Sequence, residues 1–392
     1  MKLLIISGDR ALAQGKKGPF YYMLEEFSQY WERIDIICPR LRQPASPAGG
    51  GFGGQAKPCV QKFFNNVYVH SSNLPKIFQS WFILKKGAEI FKEQKFDFFT
   101  IHSYPPFYND IGGCWLYNRI KKPYILEVHH ITGYPKAGNL KEWFYRFLDK
   151  IFIRYSAKRA AIIRVVNQKQ TPGFLKKYGV DSKKIKYASS AYIDSEIFLP
   201  LNLEKKYDLV FAGRLAKNKG IFLLLDAVKN IKPYILDVKL IIIGTGPLEN
   251  KIKKYIKKNN LENNIKFAGW LSTANDVAKI YNQSKMMVMP SFNEGGPRVT
   301  LEAMACKVPV ITSRVGIMLD IIQDLSSASG QVNGLFVDWN PRDIMDKIKL
   351  LLNNDELREK IAENGYQTIQ QFKRKELIEN YAKIFENLLH SS

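Results

Sequence analysis

The stretch MMVMPSFNEGGPRVTLEAMACKVPVITS (286–313) has the pattern of a strand, a loop, a helix and a second strand. Its apolar runs at 286–290 and 308–312 predict strands that are buried on both faces, as in parallel sheets. Glu294 lies in the glycine-containing loop, and Glu302 follows eight positions later inside the predicted helix. Because parallel sheets bind ligands at the carboxyl ends of their strands, this stretch predicts a fold class and a binding site together.

The same rhythm of short apolar runs and helix-like segments extends along the whole chain in two series. The first series comprises 3–7, 34–38, 67–70, 97–102, 124–129 and 161–166, and the second comprises 208–213, 238–244, 265–269, 286–290, 308–312 and 334–337. We therefore predict an α/β protein with two doubly wound, Rossmann-like domains that face each other across a cleft.

The predicted domains are separated by a polar segment. The N-terminal domain comprises 1–200, the linker 201–206, and the C-terminal domain 207–372. The remaining segment, 373–392, shows apolar residues at helical spacing and is predicted to be a closing helix, with the N-terminal domain as one candidate for the surface on which it packs.

Composition narrows the class of protein. The chain has 392 residues, of which 46% are hydrophobic and 24% charged, as in folded globular proteins. It has no apolar run of about 18 residues, so no membrane span is predicted, and the apolar run near Met1 is too short for a signal peptide. The four cysteines lack metal-binding or CxxC spacing, which favours a reducing, cytoplasmic setting. The stretch QPASPAGGGFGGQAKP (43–58) is predicted to be a mobile loop.

The charge of the chain is strongly positive and unevenly distributed. The net charge is +23, and residues 1–200 contain 31 lysines and arginines against 15 acidic residues. This excess indicates an anionic partner, which is a phosphorylated ligand, an acidic lipid surface or a nucleic acid. A lysine-rich composition that only keeps the surface soluble explains it equally well.

The loop around Glu294 has the features of a phosphate site. Gly295 and Gly296 allow close approach of backbone amides to a ligand, and Pro297 suits the start of the helix, whose unpaired N–H groups attract anions. Glu302 is placed to accept hydrogen bonds from a ribose, and Glu294 to contact a group beyond the phosphate. The alternative is that both glutamates are solvated around a turn.

Two other loops follow predicted strands in the second series. FAGRLAKNKG (211–220) places Arg214 and Lys219 at a strand end, where two cations suit a diphosphate leaving group. The loop GTGP (244–247), which contains Gly246, repeats the strand, glycine and helix-start pattern. The alternatives are ordinary surface charge for the cations and a tight turn for GTGP.

Together these segments resemble the retaining glycosyltransferases of family 4, which have the GT-B fold. AGRLAKNKG (212–220) is similar to the family's G-R-x-x-x-x-K-G element, IIIGTGPLENKI (241–252) to its I-x-G-x-G-P element, FAGWL (267–271) to its F-x-G-x-V segment, and NEGGPRVTLEAMACKVPVITS (293–313) to its E-x7-E motif. In the first half, GKKG (15–18), EVHH (127–130) and KIKYASSAYIDSEIFLP (184–200) are looser matches. There Lys16 replaces a glycine, and Ser-Ala-Tyr-Ile-Asp replaces Asn-Gly-Val-Asp.

The resemblance implies a set of donor-binding residues and a set of catalytic residues. The donor-binding set is Gly15, Gly18, Arg214, Lys219, Gly246, Glu294, Gly295, Gly296, Pro297, Arg298 and Glu302, and the catalytic set is His129, Glu294, Arg214 and Lys219. By resemblance, Arg214 and Lys219 would stabilise the leaving diphosphate and Glu302 would bind the ribose. Glu294 would contact the sugar and steady an oxocarbenium-like transition state.

The resemblance also implies that 1–200 is the acceptor-side domain and 207–372 the nucleotide-sugar-binding domain. The first histidine of EVHH, His129, would contact the transferred sugar near its anomeric centre, with His130 as its rival. Gly15 and Gly18 would open the first strand-to-helix loop to donor phosphate and acceptor. The reaction it implies is metal-independent, retaining hexosyl transfer, without cofactor, from a UDP- or GDP-linked sugar to an acceptor hydroxyl.

The acceptor is less well specified by the sequence. The segments 74–86 and 140–159 mix basic and aromatic residues at helical spacing, as in helices that rest on anionic lipid. A core-facing apolar stripe with a basic edge is the alternative. We predict a cytoplasmic enzyme, peripheral on the inner face of the cell membrane, with a glycan or lipid-linked acceptor of the cell envelope. The alternatives are a GT-B epimerase acting on nucleotide sugars and a basic nucleic-acid-binding protein. The latter is disfavoured because the chain has no RNP-like or helix-turn-helix pattern.

Overall fold

Two mainly parallel sheets organise the chain in the computed structural model, which describes residues 1–39, 60–327 and 330–389. The predicted loop at 43–58 lies outside the described residues, as does Cys59. The three other cysteines, Cys38, Cys114 and Cys306, are buried free thiols.

The first sheet has eight strands in the order β3-β4-β2-β1-β5-β6-β7-β8. Its strands are β1 (Lys2–Ile6), β2 (Arg33–Cys38), β3 (Val60–Phe63), β4 (Val67–Ser71), β5 (Phe98–His102), β6 (Tyr124–Val128), β7 (Ile162–Val165) and β8 (Ile185–Tyr187). All neighbours are parallel except β3, which pairs antiparallel with β4 at the edge. The helices of this domain are α1 (Pro19–Phe27), α2 (Gln79–Gln94), α3 (Tyr108–Ile120), α4 (Leu140–Arg159) and α5 (Gln170–Lys177).

The second sheet has six parallel strands in the order β11-β10-β9-β12-β13-β14. They are β9 (Tyr207–Ala212), β10 (Leu240–Ile243), β11 (Ile265–Gly269), β12 (Ser284–Met289), β13 (Val310–Ser313) and β14 (Leu335–Val337). The following helices are α6 (Ile221–Ile231), α7 (Glu249–Lys258), α8 (Ala274–Asn282), α9 (Arg298–Ala305), α10 (Met318–Ile321), α11 (Pro341–Leu352), α12 (Asp355–Ile369) and α13 (Arg374–Leu389).

Both sheets are covered by helices on their two faces, as their near-continuous apolar strands predict. In β1, Leu3 and Ile5 pack in one core cluster, whereas Leu4 and Ile6 pack in another. The alternation follows from the two-residue period of a strand, which directs successive side chains to opposite faces. The α/β prediction with two doubly wound domains is therefore confirmed.

The last helix, α13, follows the second domain in the chain but packs on the first sheet. Ile378, Tyr381 and Phe385 belong to the same core cluster as Leu3 and Ile5. The Tyr381 ring stacks on Phe27 of α1, with ring centroids 4.8 Å apart. Full burial of a side chain such as Phe385 contributes about 1.5–3 kcal/mol, so α13 fastens the first domain to the second.

The basic helix α4 packs its apolar side chains on the core along only part of its length. Its later apolar residues Ile153 and Ala157 are buried in the core, but Trp143, Phe144 and Phe147 are about half exposed. The first part of α4 therefore presents aromatic side chains to solvent. None of the helices in the described part of the chain has the length and apolarity required to span a bilayer.

Candidate active site

Two cavities flank the loop that joins β12 to α9. One, of about 510 Å³, lies at the carboxyl ends of β9, β10 and β11, and Arg214, Gly246, Trp270 and Glu302 are among its lining residues. The other, of about 470 Å³, lies between the two domains. Its lining residues that bear on the chemistry are Asp9, Tyr104, His129, His130, Gly296 and Arg298. The segment from Gly296 to Glu302, at the start of α9, thus contributes to the walls of both cavities.

The floor of the first cavity is formed by two loops whose backbones are in direct contact. Gly244 has a φ of 125°, and a Cβ added there would lie 2.1 Å from the Gly213 carbonyl oxygen. A Cβ at Gly246 would lie 2.5 Å from the Leu215 carbonyl oxygen. Only glycine permits these approaches, because any side chain would force the loops after β9 and β10 apart. The glycines of GTGP therefore shape the cavity and are more than a tight turn.

Glu294 forms an ion pair with Lys219, and neither residue is among the described residues that line the two cavities. The Lys219 ammonium donates to the Glu294 carboxylate, and both side chains are mostly buried. Lys219 ends a short 3-10 helix ahead of α6, and the following Gly220 has a φ of 66°. A Cβ on Gly220 would lie 2.0 Å from the Pro290 carbonyl oxygen. The close contact between these two loops brings together a lysine and a glutamate that the sequence places 75 positions apart.

Side chains of the first domain hold the glutamate loop in place. Gln170 of α5 donates to the Glu294 carbonyl oxygen at 3.1 Å and accepts from the Gly316 amide at 2.8 Å. Asn167, just before α5, donates to the Gly295 carbonyl oxygen at 3.3 Å. These amides lie in neither of the sequence motifs, so sequence reasoning missed them. The available signal was the position of Asn167 directly after the apolar run 161–166, at a predicted strand end.

The two domains touch at Gly295. A Cβ on Gly295 would lie 2.0 Å from the carbonyl oxygen of His129, the first residue after β6. The absence of a side chain at Gly295 thus lets the glutamate loop rest on the end of β6. The predicted residues Gly295 and His129 come together through their backbones, and the His129 ring faces the cavity.

A buried charge network supports the His129 ring. The Nε2 atom of His129 lies 3.3 Å from the Glu127 carboxylate, which also accepts from Arg164 at 2.5 Å and from Tyr381 at 2.7 Å. Burial raises the pKa of Glu127, but the Arg164 charge, the contact with His129 and the nearby His102 together outweigh this effect and hold the pKa well below its ordinary value. The carboxylate is therefore charged and orients the imidazole. Sequence reasoning missed this network, although Glu127 stands in the quoted EVHH segment.

Two more imidazoles lie near His129. The His102 ring centroid is 5.2 Å from that of His129, and burial lowers the pKa of His102 to about 3. His130 also lines the cavity, and burial lowers its pKa although the charge of Glu294 opposes this shift. Both rings are therefore neutral at physiological pH. His129 differs from His130 in its bond to Glu127.

The start of α9 presents a cation and a buried carboxylate to the two cavities. Arg298 lines the interdomain cavity, where its guanidinium lies 4.6 Å from the Tyr192 ring centroid. Its Nε atom is buried and has no hydrogen-bond partner among the described residues. Glu302 lines the other cavity, 3.9 Å from Arg298. Burial raises the pKa of Glu302, and Arg298 offsets part of that rise. The buried Arg298 nitrogen and the Glu302 carboxylate, whose burial Arg298 only partly offsets, can each form a hydrogen bond with a ligand.

The predicted N-terminal glycines lie apart from these groups. Gly15 has a φ of 70° and is exposed, and Gly18 precedes α1. Within the described residues, no atom lies within 4 Å of a Cβ built at either position, and neither glycine lines the two cavities. Ser7 and Gly8, which directly follow β1, line the interdomain cavity instead. Pro297, predicted at the helix start, is the residue immediately before α9.

The described residues contain no group of three His, Cys, Asp or Glu side chains placed to hold a metal ion.

Trp270, which sequence reasoning did not single out, is 78% exposed and lines the first cavity. The signal for it was its position inside the FAGWL segment. The site therefore combines cations, carboxylates and an aromatic ring on one side of a cleft with histidines on the other.

Comparison with known proteins identifies glycosyltransferases among the relatives of this chain. Residues 194–368 match the family described as glycosyl transferases group 1. An uncharacterised glycosyltransferase of Methanocaldococcus jannaschii is 30% identical over 333 residues, which cover 83% of this chain and 86% of that protein.

Solved structures resemble the chain over its whole length. Sucrose-phosphate synthase from Thermosynechococcus elongatus superposes with a TM-score of 0.80 at 17% identity and covers 100% of both chains. HepE from Anabaena, in complex with UDP and glucose, superposes with a TM-score of 0.71 at 16% identity, over 98% of this chain and 99% of that one. At these identities the likeness concerns the fold.

Proposed function

Because this chain belongs to the group 1 family of glycosyltransferases and has the GT-B fold, we propose that it transfers a hexosyl group from a nucleotide-sugar donor to an acceptor hydroxyl. We assign it to polysaccharide or lipid-linked glycan biosynthesis of the cell envelope. The observation that carries the proposal is the segment from Gly296 to Glu302, which lies between a cavity suited to a nucleotide and one suited to a sugar and its acceptor.

The cavity of about 510 Å³ is the proposed nucleotide site. Trp270 offers an exposed ring on which a base can stack. The buried Glu302 carboxylate suits the ribose hydroxyls, which are hydrogen-bond donors. Arg214 lies at the same cavity and suits the diphosphate. HepE, which shares the fold, has been solved with UDP and glucose, and this supports a UDP-linked donor, with a GDP-linked donor as the second candidate.

Lys219 and Glu294 are proposed to exchange partners when the donor binds. In the structure, the Lys219 ammonium is neutralised by Glu294. A donor diphosphate would draw Lys219 to itself, because it carries more negative charge than one carboxylate. Glu294 would then be released to accept hydrogen bonds from the sugar. Arg214, Lys219 and the α9 N–H groups would together stabilise the charge that develops on the departing diphosphate without a metal ion.

We propose that transfer retains the anomeric configuration through attack on the same face as the leaving group. The bond between the anomeric carbon and the phosphate oxygen breaks, the acceptor oxygen bonds to that carbon, and the acceptor proton passes to the departing phosphate. Among the described residues that line the interdomain cavity, Asp9 is the one carboxylate. Its Oδ1 atom accepts from the Ala11 and Leu12 amides at 2.6 and 3.2 Å. This tether disfavours Asp9 as a nucleophile, and a glycosyl ester trapped on it and detected by mass spectrometry would refute the same-face mechanism.

We also propose that the enzyme works in the cytoplasm on the inner face of the cell membrane. The half-exposed Trp143, Phe144 and Phe147 lie on a helix with many basic residues, a combination that suits anionic lipid. Flotation with vesicles tests this proposal. The protein should float with vesicles of phosphatidylglycerol at low salt and remain behind with those of phosphatidylcholine. Equal behaviour with both would remove the membrane from the account.

Turnover of nucleotide sugars tests the function itself. Purified protein is incubated with UDP- and GDP-linked hexoses and a cell-envelope lipid extract, and release of the nucleoside diphosphate is measured with and without EDTA. We expect release with one donor, insensitive to EDTA, and an NMR coupling in the product that shows the donor's anomeric configuration. Lys219→Ala and Glu302→Gln should lose activity, whereas Glu262→Gln, an exposed glutamate of the same domain, should retain it. Equal loss in Glu262→Gln, or free epimerised nucleotide sugar as the product, would contradict the assignment.

A further inference from the structure

A polar cavity of about 720 Å³ lies beside α12 and α13, apart from the two cavities of the candidate active site. Eight of its fourteen described lining residues are asparagine or glutamine. Among these described lining residues, none is a lysine or an arginine, and Asp320 is the one charged side chain. The chain as a whole has a net charge of +23. The cavity, which we call the amide cavity, is therefore unusual for this protein in being nearly uncharged and rich in amide groups.

The amide cavity lies where the two domains meet. Gln168 and Tyr187 belong to the first domain, whereas Asn333 precedes β14 in the second. The Asp320 carboxylate, on α10, accepts from the Gln168 backbone amide at 2.6 Å and so joins the two sides. Leu377 is the one described residue that lines both this cavity and the interdomain cavity. A ligand in the amide cavity would therefore contact both domains and lie outside the catalytic cleft.

Some of the amide side chains are held in place by the protein itself. Asn364 donates through Nδ2 to the Val332 carbonyl oxygen at 2.9 Å. Gln371 donates through Nε2 to the Thr368 carbonyl oxygen at 3.0 Å. Within the described residues, the side-chain oxygens of Asn364 and Gln371 accept no hydrogen bond. Each of these anchored amides therefore has an acceptor oxygen available for a ligand hydroxyl.

An aromatic ring also contributes to the wall of the amide cavity. Tyr187 ends the edge strand β8, and its side chain is 38% exposed. Such a ring offers an apolar face on which the C–H groups of a sugar can pack. Asn380, an exposed residue of α13, adds amide donors to the same cavity. The walls thus match the two parts of a sugar ring, its apolar face and its hydroxyl groups.

Other classes of ligand suit the amide cavity less well. A phosphate group would meet the Asp320 carboxylate and no lysine or arginine among the described lining residues. A hydrocarbon chain would bury amide groups without partners, and one carboxylate is too few for a metal ion. A neutral sugar both donates and accepts hydrogen bonds, as amides do. The volume lies within the range of about 300–1,000 Å³ that is typical of small-molecule sites.

We propose that the amide cavity is a second carbohydrate site, which binds a neutral oligosaccharide outside the catalytic cleft. The Tyr187 ring supports a sugar ring, and Asn364, Gln371 and Asn380 bind its hydroxyls. The oligosaccharide is either the distal part of a glycan whose end lies in the interdomain cavity or a separate glycan, and the recognition chemistry is the same for both. This inference goes beyond the proposed transfer, since it requires neither the donor nor the reaction.

An array of immobilised neutral and acidic oligosaccharides tests the proposal, and calorimetry then measures the Kd of the neutral ones that bind. We expect neutral oligosaccharides to bind the wild type and to remain bound at high salt, because no ion pair is involved. Tyr187→Ala and Gln371→Ala/Asn380→Ala should each weaken this binding by about tenfold. Acidic oligosaccharides that adhere to the basic surface should be released by salt and should not respond to these substitutions.

Matched controls separate the amide cavity from the rest of the surface. Tyr234→Ala removes a ring that is 67% exposed, and Asn263→Ala/Asn275→Ala removes two exposed amides from the second domain. Both controls should bind neutral oligosaccharides as the wild type does. The Tm of each variant without ligand shows whether its fold is intact.

Titration of His129→Ala distinguishes the two sources of the glycan. A glycan whose end lies in the interdomain cavity should bind this variant more weakly than the wild type, whereas a separate glycan should bind both equally. In either case Tyr187→Ala should weaken the binding.

Three results would overturn the inference. They are no binding of any neutral oligosaccharide, equal binding by the wild type and both amide-cavity variants, and a loss of binding in His129→Ala alone, which would place the whole glycan in the catalytic cleft. Release of nucleoside diphosphate from a nucleotide sugar is measured separately, so the proposed function and this inference can fail independently.

Discussion

The contact between Gly295 and His129 provides the sharpest mutational prediction. A Cβ on Gly295 would lie 2.0 Å from the His129 carbonyl oxygen, whereas real Cβ atoms essentially never approach within 3.0 Å. In Gly295→Ala the two backbones must therefore separate by about 1 Å. Neither partner can yield by rotating a side chain, because the clash involves a main-chain oxygen.

The separation should affect catalysis more than stability. Gly295 is also held by hydrogen bonds from Asn167 and from the Ile317 amide, at 3.3 and 3.0 Å. Overpacking of this kind costs about 1–3 kcal/mol, and because the contact joins two domains, opening of the cleft relieves part of the overlap. A displacement of about 1 Å between reacting groups lowers the rate by about 100-fold. We therefore expect a small fall in Tm and a loss of kcat/KM of about two orders of magnitude.

Gly173 supplies a control for this variant. In Gly173→Ala, within α5, no atom of the described residues would lie within 4 Å of the new Cβ, and alanine favours the helix. Nucleotide release and thermal unfolding of the two variants should rank Gly295→Ala far below Gly173→Ala in activity. Wild-type activity in Gly295→Ala would refute the reasoning.

Further results are expected at the buried carboxylates. Tyr381→Phe removes a hydrogen bond to Glu127 and should lower the free energy of unfolding in urea by about 1.5–3 kcal/mol, whereas Tyr234→Phe, at a largely exposed ring, should not change it. Although burial raises the pKa of Glu127, Arg164 holds it below the ordinary 4.5, so the pair stabilises the fold above that pH and the stability is lost as pH falls. The Tm of the wild type should therefore drop on acidification more steeply than that of Glu127→Gln; parallel curves would exclude this pair as the cause. Burial raises the pKa of Glu302, so UDP affinity should start to fall at a higher pH than for an ordinary glutamate, and a Glu302→Gln variant that titrates like the wild type would contradict this.

Much of the fold could be read from the sequence because buried parallel strands are apolar on both faces. Each of the predicted apolar runs overlaps an observed strand. The strands that were missed, β3 and β8, lie at the edges of the first sheet. The β3 sequence VQKF alternates in burial, and β8 has only three residues, two of them exposed. Edge strands need no continuous apolar run, so they leave little signal.

The candidate site was predictable where its residues follow strands and was not where they reach across the cleft. Arg214 and Lys219 follow β9, and Glu302 lies in the helix that follows β12. The apolar runs of these strands mark the positions of all three residues in the sequence. Asn167 and Gln170 contact the glutamate loop from the other domain, more than 120 positions away in the chain. Their role depends on how two domains dock, and no local pattern encodes this.

Nucleotide binding tests the central claim most directly. Thermal unfolding of the wild type and of Glu302→Ala is measured with UDP, GDP and other nucleoside diphosphates, with Glu262→Ala as the control. A ligand at about 100 times its Kd stabilises the native state by about 2.7 kcal/mol. The account predicts a clear rise in Tm with UDP or GDP, which Glu302→Ala diminishes and Glu262→Ala leaves intact. No rise with any nucleotide, or the same rise in Glu302→Ala, would contradict the assignment of the nucleotide to the cavity beside Glu302.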